Sequence, residues 1–366
     1  MTALANKQRL CFGILFLHFT VWAASEFRPG EVWNDAGGQP IQAHGGGILV
    51  HSNVYYWYGE DRTPRGRGVV AGYSSTNLFD WKGAGAVLTR DDLPRIDGLP
   101  TFMERPKVIF NARTGKFVMW MHLEQRGYRF ASAGIATSDS PIGPFKFLKD
   151  MRPITNGFDF SEADESDQRQ YGGTFRDMNV FVDDDGRAYV FYASEGNWTM
   201  YVVRLNDDYT GPELPTVENK TWARLLVRQM RAAPAPFKAN GRYYLITSAC
   251  TGWTPNAANY STAENILGPW KTFANQCVGT NADTTFGTQS TSVLPTPGKP
   301  GNFIFMADQW KPRELSDSRY IWLPFALKPD GHLQLSGEII GVCLNFLDVS
   351  ACLTSPTHCK IHLCST

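Results

Sequence analysis

The sequence predicts an all-β protein, specifically a five-bladed β-propeller. Three observations support this prediction: 34 glycines and 22 prolines among 366 residues, 13% aromatic residues, and one turn-plus-strand unit that occurs five times. Glycine and proline favour turns, and aromatic residues favour strands, so the composition is typical of many short strands. Charged residues make up only 19% of the chain, which is too few for long solvated helices or a coiled coil.

The repeated unit is a pair of turn residues, then alternating aromatic and aliphatic positions, then polar residues where the strand ends. It occurs at residues 52–61, 114–124, 185–195, 240–250 and 300–310. Four copies are followed by a second element that is typical of a strand, a Gly-Pro or similar turn, and another strand. Five units predict five four-stranded sheets stacked around an axis. A large β-sandwich with coincidental hairpins is the alternative, and the fixed order and spacing of the motifs disfavour it.

Charge and motifs exclude several classes of function. The 35 basic and 35 acidic side chains balance, so there is no electrostatic basis for binding nucleic acid or an anionic membrane surface. No GxGxxG fingerprint indicates a dinucleotide cofactor. A chain this apolar and aromatic can bury a large core, and we do not expect disorder.

The first 25 residues are typical of a secretory signal peptide. Basic residues precede an apolar run over residues 10–24, and small residues then offer a cleavage site. The run is about fifteen residues, short for a bilayer span of roughly twenty, and an uncleaved signal anchor is the alternative. Sequons for N-glycosylation fit the same route and lie at Asn197, Asn219 and Asn259. We expect a secreted, extracellular protein that leaves the membrane once the signal is cleaved.

Cysteine usage is uneven along the chain. Cys250 and Cys277 lie in the body, and in an oxidising compartment they are the natural disulfide candidate, with Cα atoms about 4.4–6.8 Å apart. Four of the seven cysteines fall in residues 341–366, a tail that lacks the repeat and is interpreted as a divergent or mis-spliced terminus. No CxxC pair supports a zinc site. The predicted organisation is a signal peptide (1–25), a propeller domain (26–340) and this tail.

Several segments together resemble glycoside hydrolase family 43, in its exo-β-1,3-galactanase-like branch. They follow the family's order at residues 40–61, 103–111, 171–205, 233–256 and 288–295. The resemblance covers roughly residues 28–335 and implies a five-bladed propeller that releases galactose from the non-reducing end of β-1,3-galactan. The implied partner is β-1,3-galactan or arabinogalactan. We expect a monomer that requires no cofactor, while such folds leave room for a structural cation in the central channel.

Inverting hydrolysis of a glycoside sets its own chemical requirements. One carboxylic acid protonates the leaving oxygen, and a base on the opposite face activates water, with the two groups roughly 6.5–9.5 Å apart. The acid must stay protonated near neutral pH, which requires burial or a like-charged neighbour to raise its pKa. Strand ends around a propeller axis supply that setting.

The resemblance assigns roles to three polar residues. Glu104 matches a carboxylate that contacts the sugar and is implicated in catalysis; a surface ion pair with Arg105 is the alternative. Asp177 matches the position that sets the pKa of the general acid and orients it, and a turn-capping aspartate is the alternative. Gln289 matches a glutamine thought to help hold the attacking water, because this branch lacks the usual aspartate base.

Further polar residues are candidate ligands of the sugar. Glu60, Glu195 and Asn197 end predicted innermost strands, where side chains would converge on the axis. Asn197 is also a sequon residue and cannot easily be both a buried ligand and glycosylated. Thr251 is a further candidate for substrate binding. We expect Glu60, Glu104, Asp177, Glu195 and Gln289 to converge on one pocket.

Aromatic residues and one histidine complete the predicted site. Tyr128 and Trp253 are candidate stacking platforms, because the C–H face of a sugar packs on an aromatic ring; core packing is the alternative for each. His44, followed by three glycines, is predicted to point into the axial channel, where glycine permits close backbone approach. A satisfied core histidine is the alternative there.

One position departs from the family pattern. The family's general acid is a Glu in a Glu-Ala-Pro motif, and here Ala232 stands at that position before Ala233 and Pro234. Loss of a positioned general acid commonly costs about 10²–10⁴-fold in rate. An engineered inactivation, a natural sugar-binding pseudoenzyme, or transfer of the acid's role to Glu195 would each explain the alanine. Two classes therefore compete: a hydrolase of β-1,3-galactan and a non-catalytic carbohydrate-binding propeller.

Overall fold

The structure is a computed structural model that describes residues 27–66, 68–155, 173–296 and 298–337. The expected signal peptide and tail lie outside the described residues. The described strands, in chain order, are β1 (His44–His51), β2 (Val54–Asp61), β3 (Val69–Ser75), β4 (Lys82–Leu88), β5 (Arg95–Ile96), β6 (Leu99–Pro100), β7 (Phe102–Asn111), β8 (Lys116–Glu124), β9 (Ser132–Ser138), β10 (Lys146–Met151), β11 (Arg176–Val182), β12 (Ala188–Ser194), β13 (Thr199–Arg204), β14 (Trp222–Leu225), β15 (Arg231–Ala239), β16 (Arg242–Ala249), β17 (Asn259–Ala263), β18 (Lys271–Phe273), β19 (Cys277–Val278), β20 (Gln289–Pro295), β21 (Asn302–Gln309), β22 (Arg319–Ala326) and β23 (Leu335–Ser336). The pairs β5–β6 and β19–β23 are small sheets outside the five main ones. Short 3₁₀ turns lie at Arg90–Asp92, Ala282–Gly287 and Leu315–Asp317.

The five main sheets are the blades of the predicted propeller. Four blades have four antiparallel strands joined in chain order: β1–β4, β7–β10, β11–β14 and β15–β18. The fifth has three strands, β20–β22, where four were expected. The innermost strands β1, β7, β11, β15 and β20 contact one another in sequence, and β20 contacts β1, so the ring of blades is closed. The prediction of a five-bladed propeller is confirmed.

The repeated unit of the sequence forms the second strand of each blade, not the innermost one. The strands β2, β8, β12, β16 and β21 carry it, and each pairs with the innermost strand that precedes it. Because blades stack on both sides of these strands, their side chains are buried on both faces; eight of the nine residues of β8 are buried. The aromatic-aliphatic pattern therefore indicates that these strands are packed between neighbouring blades.

A separate hydrophobic cluster fills each of the five interfaces between neighbouring blades. The cluster that closes the ring lies between the first and last blades and is built on indole rings. Trp57 and Trp322 lie with ring centroids 4.8 Å apart, and Trp57 and Trp81 5.3 Å apart. The Tyr320 hydroxyl accepts the Ala43 N–H at 2.8 Å, so that a polar contact also crosses this interface.

Every innermost strand has a β-bulge near its first residue. The pairing register shifts after His44, Glu104, Arg176, Ala232 and Ser290. A bulge bends a strand and redirects its side chains, and it commonly lies beside an active site. All five innermost strands run in the same direction along the propeller axis, so the five bulges lie at one end of the propeller.

Glycines after His44 make room at this end. Gly45 has a φ of +59°, and a Cβ there would lie 2.5 Å from the Glu60 Oε1. A Cβ at Gly46 would overlap the backbone oxygen of Tyr58. The chain therefore needs glycine to bring β1 against the charged side chains at the axis.

The predicted disulfide is not formed, and Cys250 and Cys277 are both free thiols. Cys250 directly follows β16 at the end of the propeller that carries the bulges, with its Sγ 3.6 Å from the Asn197 carbonyl oxygen. Cys277 follows the outermost strand β18 and is buried in the cluster between the fourth and fifth blades. Although the two cysteines are close in sequence, the strands β17 and β18 lie between them and hold them apart.

In the described ranges, no helix is long and apolar enough to cross a membrane.

Candidate active site

A cavity of about 600 Å³ opens at the end of the propeller where the five bulges meet. Residues from all five blades surround it. Its charged and polar lining consists of Glu60, Arg62, Glu104, Arg105, His122, Arg129, Arg176, Asp177, Asn197 and Gln289. This lining contains both acidic and basic side chains, so the cavity suits a polar, hydroxyl-rich ligand better than an apolar one.

Glu104 stands at the centre of a charged network on the second blade. The Tyr128 hydroxyl donates to its Oε1 at 2.5 Å, and the Arg62 Nη2 lies 3.5 Å from the same oxygen. Its Oε2 lies 3.4 Å from the Nδ1 of His122, which is paired with it across β7 and β8. On the other side of the ring, the His122 Nε2 lies 3.4 Å from Glu124.

This network fixes the charges of its members. Burial opposes ionisation of Glu104, but the hydrogen bond and charge of His122 and the charge of Arg62 lower the pKa of Glu104 to about 2. Burial also disfavours protonation of His122, but hydrogen bonds to Glu104 and Glu124 raise its pKa to about 9. Glu104 is therefore a carboxylate at neutral pH and accepts hydrogen bonds; it has no proton to give to a leaving group.

Glu60 lies behind Glu104 and is almost fully buried. Its Oε1 accepts the backbone N–H of Arg105 at 2.9 Å, and its Oε2 forms an ion pair with Arg62. Burial raises the pKa of Glu60 more than the charge of Arg62 lowers it, and the charge of Glu104 adds a smaller rise. The guanidinium of Arg62 also lies over the Trp310 ring, 5.7 Å from its centroid.

Arg105 joins three blades at the floor of the cavity. Its Nε donates to the Asp177 Oδ1 at 2.9 Å, its Nη1 to the Ser290 carbonyl at 3.2 Å, and its Nη2 to the Gln289 Oε1. Because Arg105 is 5% exposed, the alternative of a surface pair between Glu104 and Arg105 is wrong. The side chain of Asp177 is 24% exposed, and the Asp177 Oδ2 has no partner among the described residues.

Ala232 lines the same cavity and occupies the position in its blade that Glu104 occupies in its own. Both residues immediately precede the bulge of an innermost strand, Glu104 opposite His122 and Ala232 opposite Ser248. The methyl group of Ala232 is buried. On the fourth blade, the side-chain position that faces the cavity therefore carries no ionisable group.

The structure brings together four of the five side chains that were expected to converge. Glu60, Glu104, Asp177 and Gln289 line the cavity, and Glu195 does not. The carboxylate of Glu195 accepts the Thr199 and Tyr201 hydroxyls at 2.7 Å each. Arg224 binds it at 2.7 Å as well, so that this buried group is fully engaged as an acceptor.

The other predicted ligands are distributed around the rim. Tyr128 and Trp253 line the cavity and are 44% and 40% exposed; the Tyr128 ring also packs in a T-shaped contact with Phe102, with centroids 5.7 Å apart. Asn197 lines it too, and its Oδ1 is buried without a hydrogen-bond partner among the described residues. Thr251 lies outside the lining; its hydroxyl donates to the Thr254 carbonyl and accepts the Asn256 side chain.

His44 lies below the cavity and is fully buried. Its ring stacks on Tyr320 with centroids 5.0 Å apart, and its Nδ1 lies 3.7 Å from the Asp308 Oδ1. The side-chain Nζ of Lys107 donates to the carbonyl of the next residue, Gly45, at 2.6 Å. Within the described residues, no cluster of three or more His, Cys, Asp or Glu side chains is arranged to hold a metal ion.

Sequence reasoning missed several residues of this site. His122, Arg62 and Trp310 all lie near or just after the end of a second strand, as Glu60 does, and His122 occupies the same register position as Glu60. The polar ends of the repeated unit would have indicated them. Arg176, whose Nη2 donates to the Tyr128 carbonyl at 2.6 Å, precedes Asp177 and carried no comparable signal.

Comparisons with known proteins agree with this architecture. The family model described as "Glycosyl hydrolases family 43" matches residues 47–309. A solved β-1,3-galactosidase of that family, in complex with galactodeoxynojirimycin, is 40% identical with a TM-score of 0.74, over 85% of this chain and 98% of its own. The exo-β-1,3-galactanase of Clostridium thermocellum is 36% identical with a TM-score of 0.72, over 84% of this chain and 64% of its own.

Two further proteins extend the comparison. A glutamate-to-alanine variant of the Phanerochaete chrysosporium exo-β-1,3-galactanase, solved with β-1,3-galactotriose, is 32% identical with a TM-score of 0.70, over 84% of this chain and 66% of its own. The β-D-galactofuranosidase of Aspergillus niger is 23% identical over 240 residues, and the chain spans 64% of its length. The family model and the solved relatives cover most of this sequence, and the chain belongs to glycoside hydrolase family 43.

Proposed function

We propose that this chain binds the non-reducing end of β-1,3-galactan and hydrolyses its terminal linkage by inversion, slowly on the natural polymer. The observation that carries the proposal is the pairing of a charged, five-blade cavity with a methyl group at Ala232. Carboxylates, guanidinium groups and two exposed aromatic rings suit a terminal sugar with many hydroxyls. Solved relatives at 32–40% identity act on β-1,3-linked galactose or hold β-1,3-galactotriose, which favours galactose as that sugar.

The two proton transfers that accompany the single displacement explain the expected rate. Water attacks the anomeric carbon while the glycosidic C–O bond breaks, so one proton must leave the water and another must reach the leaving oxygen. Glu104 is held as a carboxylate and cannot supply the second proton. At Ala232 there is no acid, so cleavage depends on how well the leaving group departs without protonation.

A binding protein without turnover is the second candidate, and Ala232 is the observation that favours it. Every other feature of the cavity serves binding as well as it serves catalysis. The two candidates differ in what happens to a substrate whose leaving group needs no proton. A hydrolase releases galactose from an aryl galactoside, whereas a binding protein does not.

The experiment compares two substrates. The chain is incubated with β-1,3-galactotriose and, separately, with an aryl β-galactoside that carries a good leaving group; released galactose and its anomeric form are followed by NMR. We expect release of α-galactose from both, much faster from the aryl substrate. Retained β-configuration would contradict inversion. Binding of galactotriose with no release from either substrate would establish the binding protein.

We also infer that the protein works outside the cell. The basic and apolar pattern of residues 1–25 supports secretion, and the sequon residue Asn219 is exposed in the turn before β14, where a glycan would not obstruct the cavity. Expression in a eukaryotic host tests this inference through N-terminal sequencing and glycopeptide mapping of the protein in the medium. Retention of the whole chain inside the cell would contradict it.

A further inference from the structure

We propose that Arg129, at the mouth of the cavity, binds a carboxylate carried by the polysaccharide, so that the preferred substrate is a galactan that bears uronic acid. The inference rests on the proposed function, because a galactan must occupy the cavity for Arg129 to reach its substituent. It assigns Arg129 as a specificity-determining residue that acts at a distance from the bond to be cleaved.

The first observation is the balance of charge around the cavity. Its other charged side chains are neutralised within the protein, through the ion pairs Arg62–Glu60, Arg62–Glu104, Arg105–Asp177, His122–Glu104, His122–Glu124 and Arg176–Glu124. Arg129 lines the same cavity, is exposed, and has no acidic partner among the described residues. The neutral hydroxyls of galactose do not balance this charge, whereas an anionic substituent at the mouth would.

The second observation is that the backbone around Arg129 is held in place on both sides. The Arg176 Nη2 donates to the Tyr128 carbonyl at 2.6 Å, and the Arg152 Nη2 donates to the Phe130 carbonyl at 2.5 Å. An exposed arginine is common on protein surfaces, but most are not anchored at both neighbouring residues. Because the backbone is already ordered, less conformational freedom is lost when the Arg129 guanidinium binds a ligand.

The third observation is the aromatic ring beside Arg129. Tyr128 and Arg129 both line the cavity, and the Tyr128 ring is 44% exposed while its hydroxyl reaches inward to Glu104. The C–H face of a sugar packs on such a ring, and a guanidinium offers two parallel N–H groups that match the two oxygens of a carboxylate. A uronic acid presents both a C–H face and a carboxylate. We therefore place it on the sugar that follows the terminal galactose, at the mouth.

The test is a titration by calorimetry with β-1,3-galactotriose in three forms. One form is neutral, one carries a glucuronic acid branch on its second galactose, and one carries the same branch with the carboxylate reduced to an alcohol. The parent should bind the acidic form about fivefold more tightly than the reduced form, a modest preference because the guanidinium is exposed. The preference should shrink as salt is raised. Tighter binding of a sulfated branch than of the acidic one would overturn the assignment of a carboxylate.

Two variants identify the residue responsible. Arg129→Gln should abolish the preference and leave the affinity for neutral galactotriose within about twofold of the parent. Arg126→Gln, an exposed arginine of the same loop outside the cavity lining, is the matched control and should keep the preference. Equal affinity of the parent for the acidic and reduced forms, or an undiminished preference in Arg129→Gln, would overturn the inference and leave the proposed function standing. Failure of neutral galactotriose to bind would overturn both.

Discussion

Two positions in the molecule share a backbone geometry and differ in chemistry: Glu104 on the second blade and Ala232 on the fourth. Each precedes the bulge of an innermost strand and faces one cavity. Glu104 accepts a hydrogen bond from Tyr128 and forms ion pairs with Arg62 and His122, whereas Ala232 presents a buried methyl group opposite Ser248. The scaffold thus repeats the place for a functional group five times, and the side chain alone decides whether chemistry occurs there.

The comparison predicts its largest effect when the missing carboxyl is restored. Ala232→Glu should raise turnover of β-1,3-galactotriose by about 10²-fold or more, because a positioned acid protonates the leaving oxygen. The gain on an aryl galactoside should be much smaller. Ala232→Gln, of the same size but without a proton to give, is the matched control. Equal gains for the Glu and Gln variants would show that filling space, not acid catalysis, is responsible.

The alternative that Glu195 has become the acid is tested beside this variant. Because Arg224, Thr199 and Tyr201 bind its carboxylate away from the cavity, Glu195→Gln should leave β-1,3-galactotriose turnover within about twofold of the parent. If Ala232→Glu changes nothing and Glu195→Gln abolishes turnover, the acid has relocated and the assignment of Ala232 is wrong.

The second effect concerns stability on the charged side. Glu104→Leu removes one partner from a buried charge network and leaves Arg62 with Glu60 alone and His122 with Glu124 alone, which should cost roughly 3 kcal/mol in the free energy of unfolding. Glu104→Gln keeps the Tyr128 bond and should cost less. Ala232→Ser, at the equivalent position, should change stability by less than about 1 kcal/mol. Urea unfolding measures all three, and equal losses at both positions would refute the comparison.

The third effect is the pH dependence that the Glu104–His122 network contributes to stability. The pKa of His122 is raised to about 9 from 6.5, so its contribution to stability is complete below pH 6.5 and is lost as the pH rises through 9. The pKa of Glu104 is lowered to about 2 from 4.5, so its contribution is complete above pH 4.5 and is lost towards pH 2. Burial lowers the pKa of Lys107 to about 7, so this group adds stability as the pH rises above 7 and opposes the change due to His122. The free energy of unfolding of the parent minus that of His122→Gln, measured in urea from pH 5 to 9.5, should therefore fall above pH 6.5. A difference that stays constant over this range would contradict the network.

The smallest effect is expected at Cys250, beside Ala232 on the uncharged side of the cavity. Its thiol is free, so Cys250→Ala should change the free energy of unfolding by less than about 1 kcal/mol. Loss of a disulfide would cost roughly 2–5 kcal/mol. Unfolding of the parent with and without reductant is the companion measurement. A large loss in the variant that reductant reproduces in the parent would restore the disulfide prediction.

The sequence by itself determined the architecture, because the repeated hairpin is a local pattern and blade stacking requires strands that are apolar on both faces. It also indicated most of the residues around the cavity, since polar residues at strand ends converge in any propeller. The second strand of each blade was mistaken for the innermost one, because the apolar pattern of the repeated unit indicates burial and not distance from the propeller axis.

Only the tertiary structure decided which polar residues meet. Glu60 and Glu195 end equivalent strands, yet Glu60 lines the cavity, whereas Glu195 is bound by Arg224 from the outermost strand of its own blade. Cys250 and Cys277 are near in sequence and are separated by the strands of one blade. Gln289 accepts hydrogen bonds from Trp310 and Arg105, which come from other blades or strands. Such contacts depend on side chains far apart in the chain, and no local pattern encodes the distance or the direction of a hydrogen bond between them.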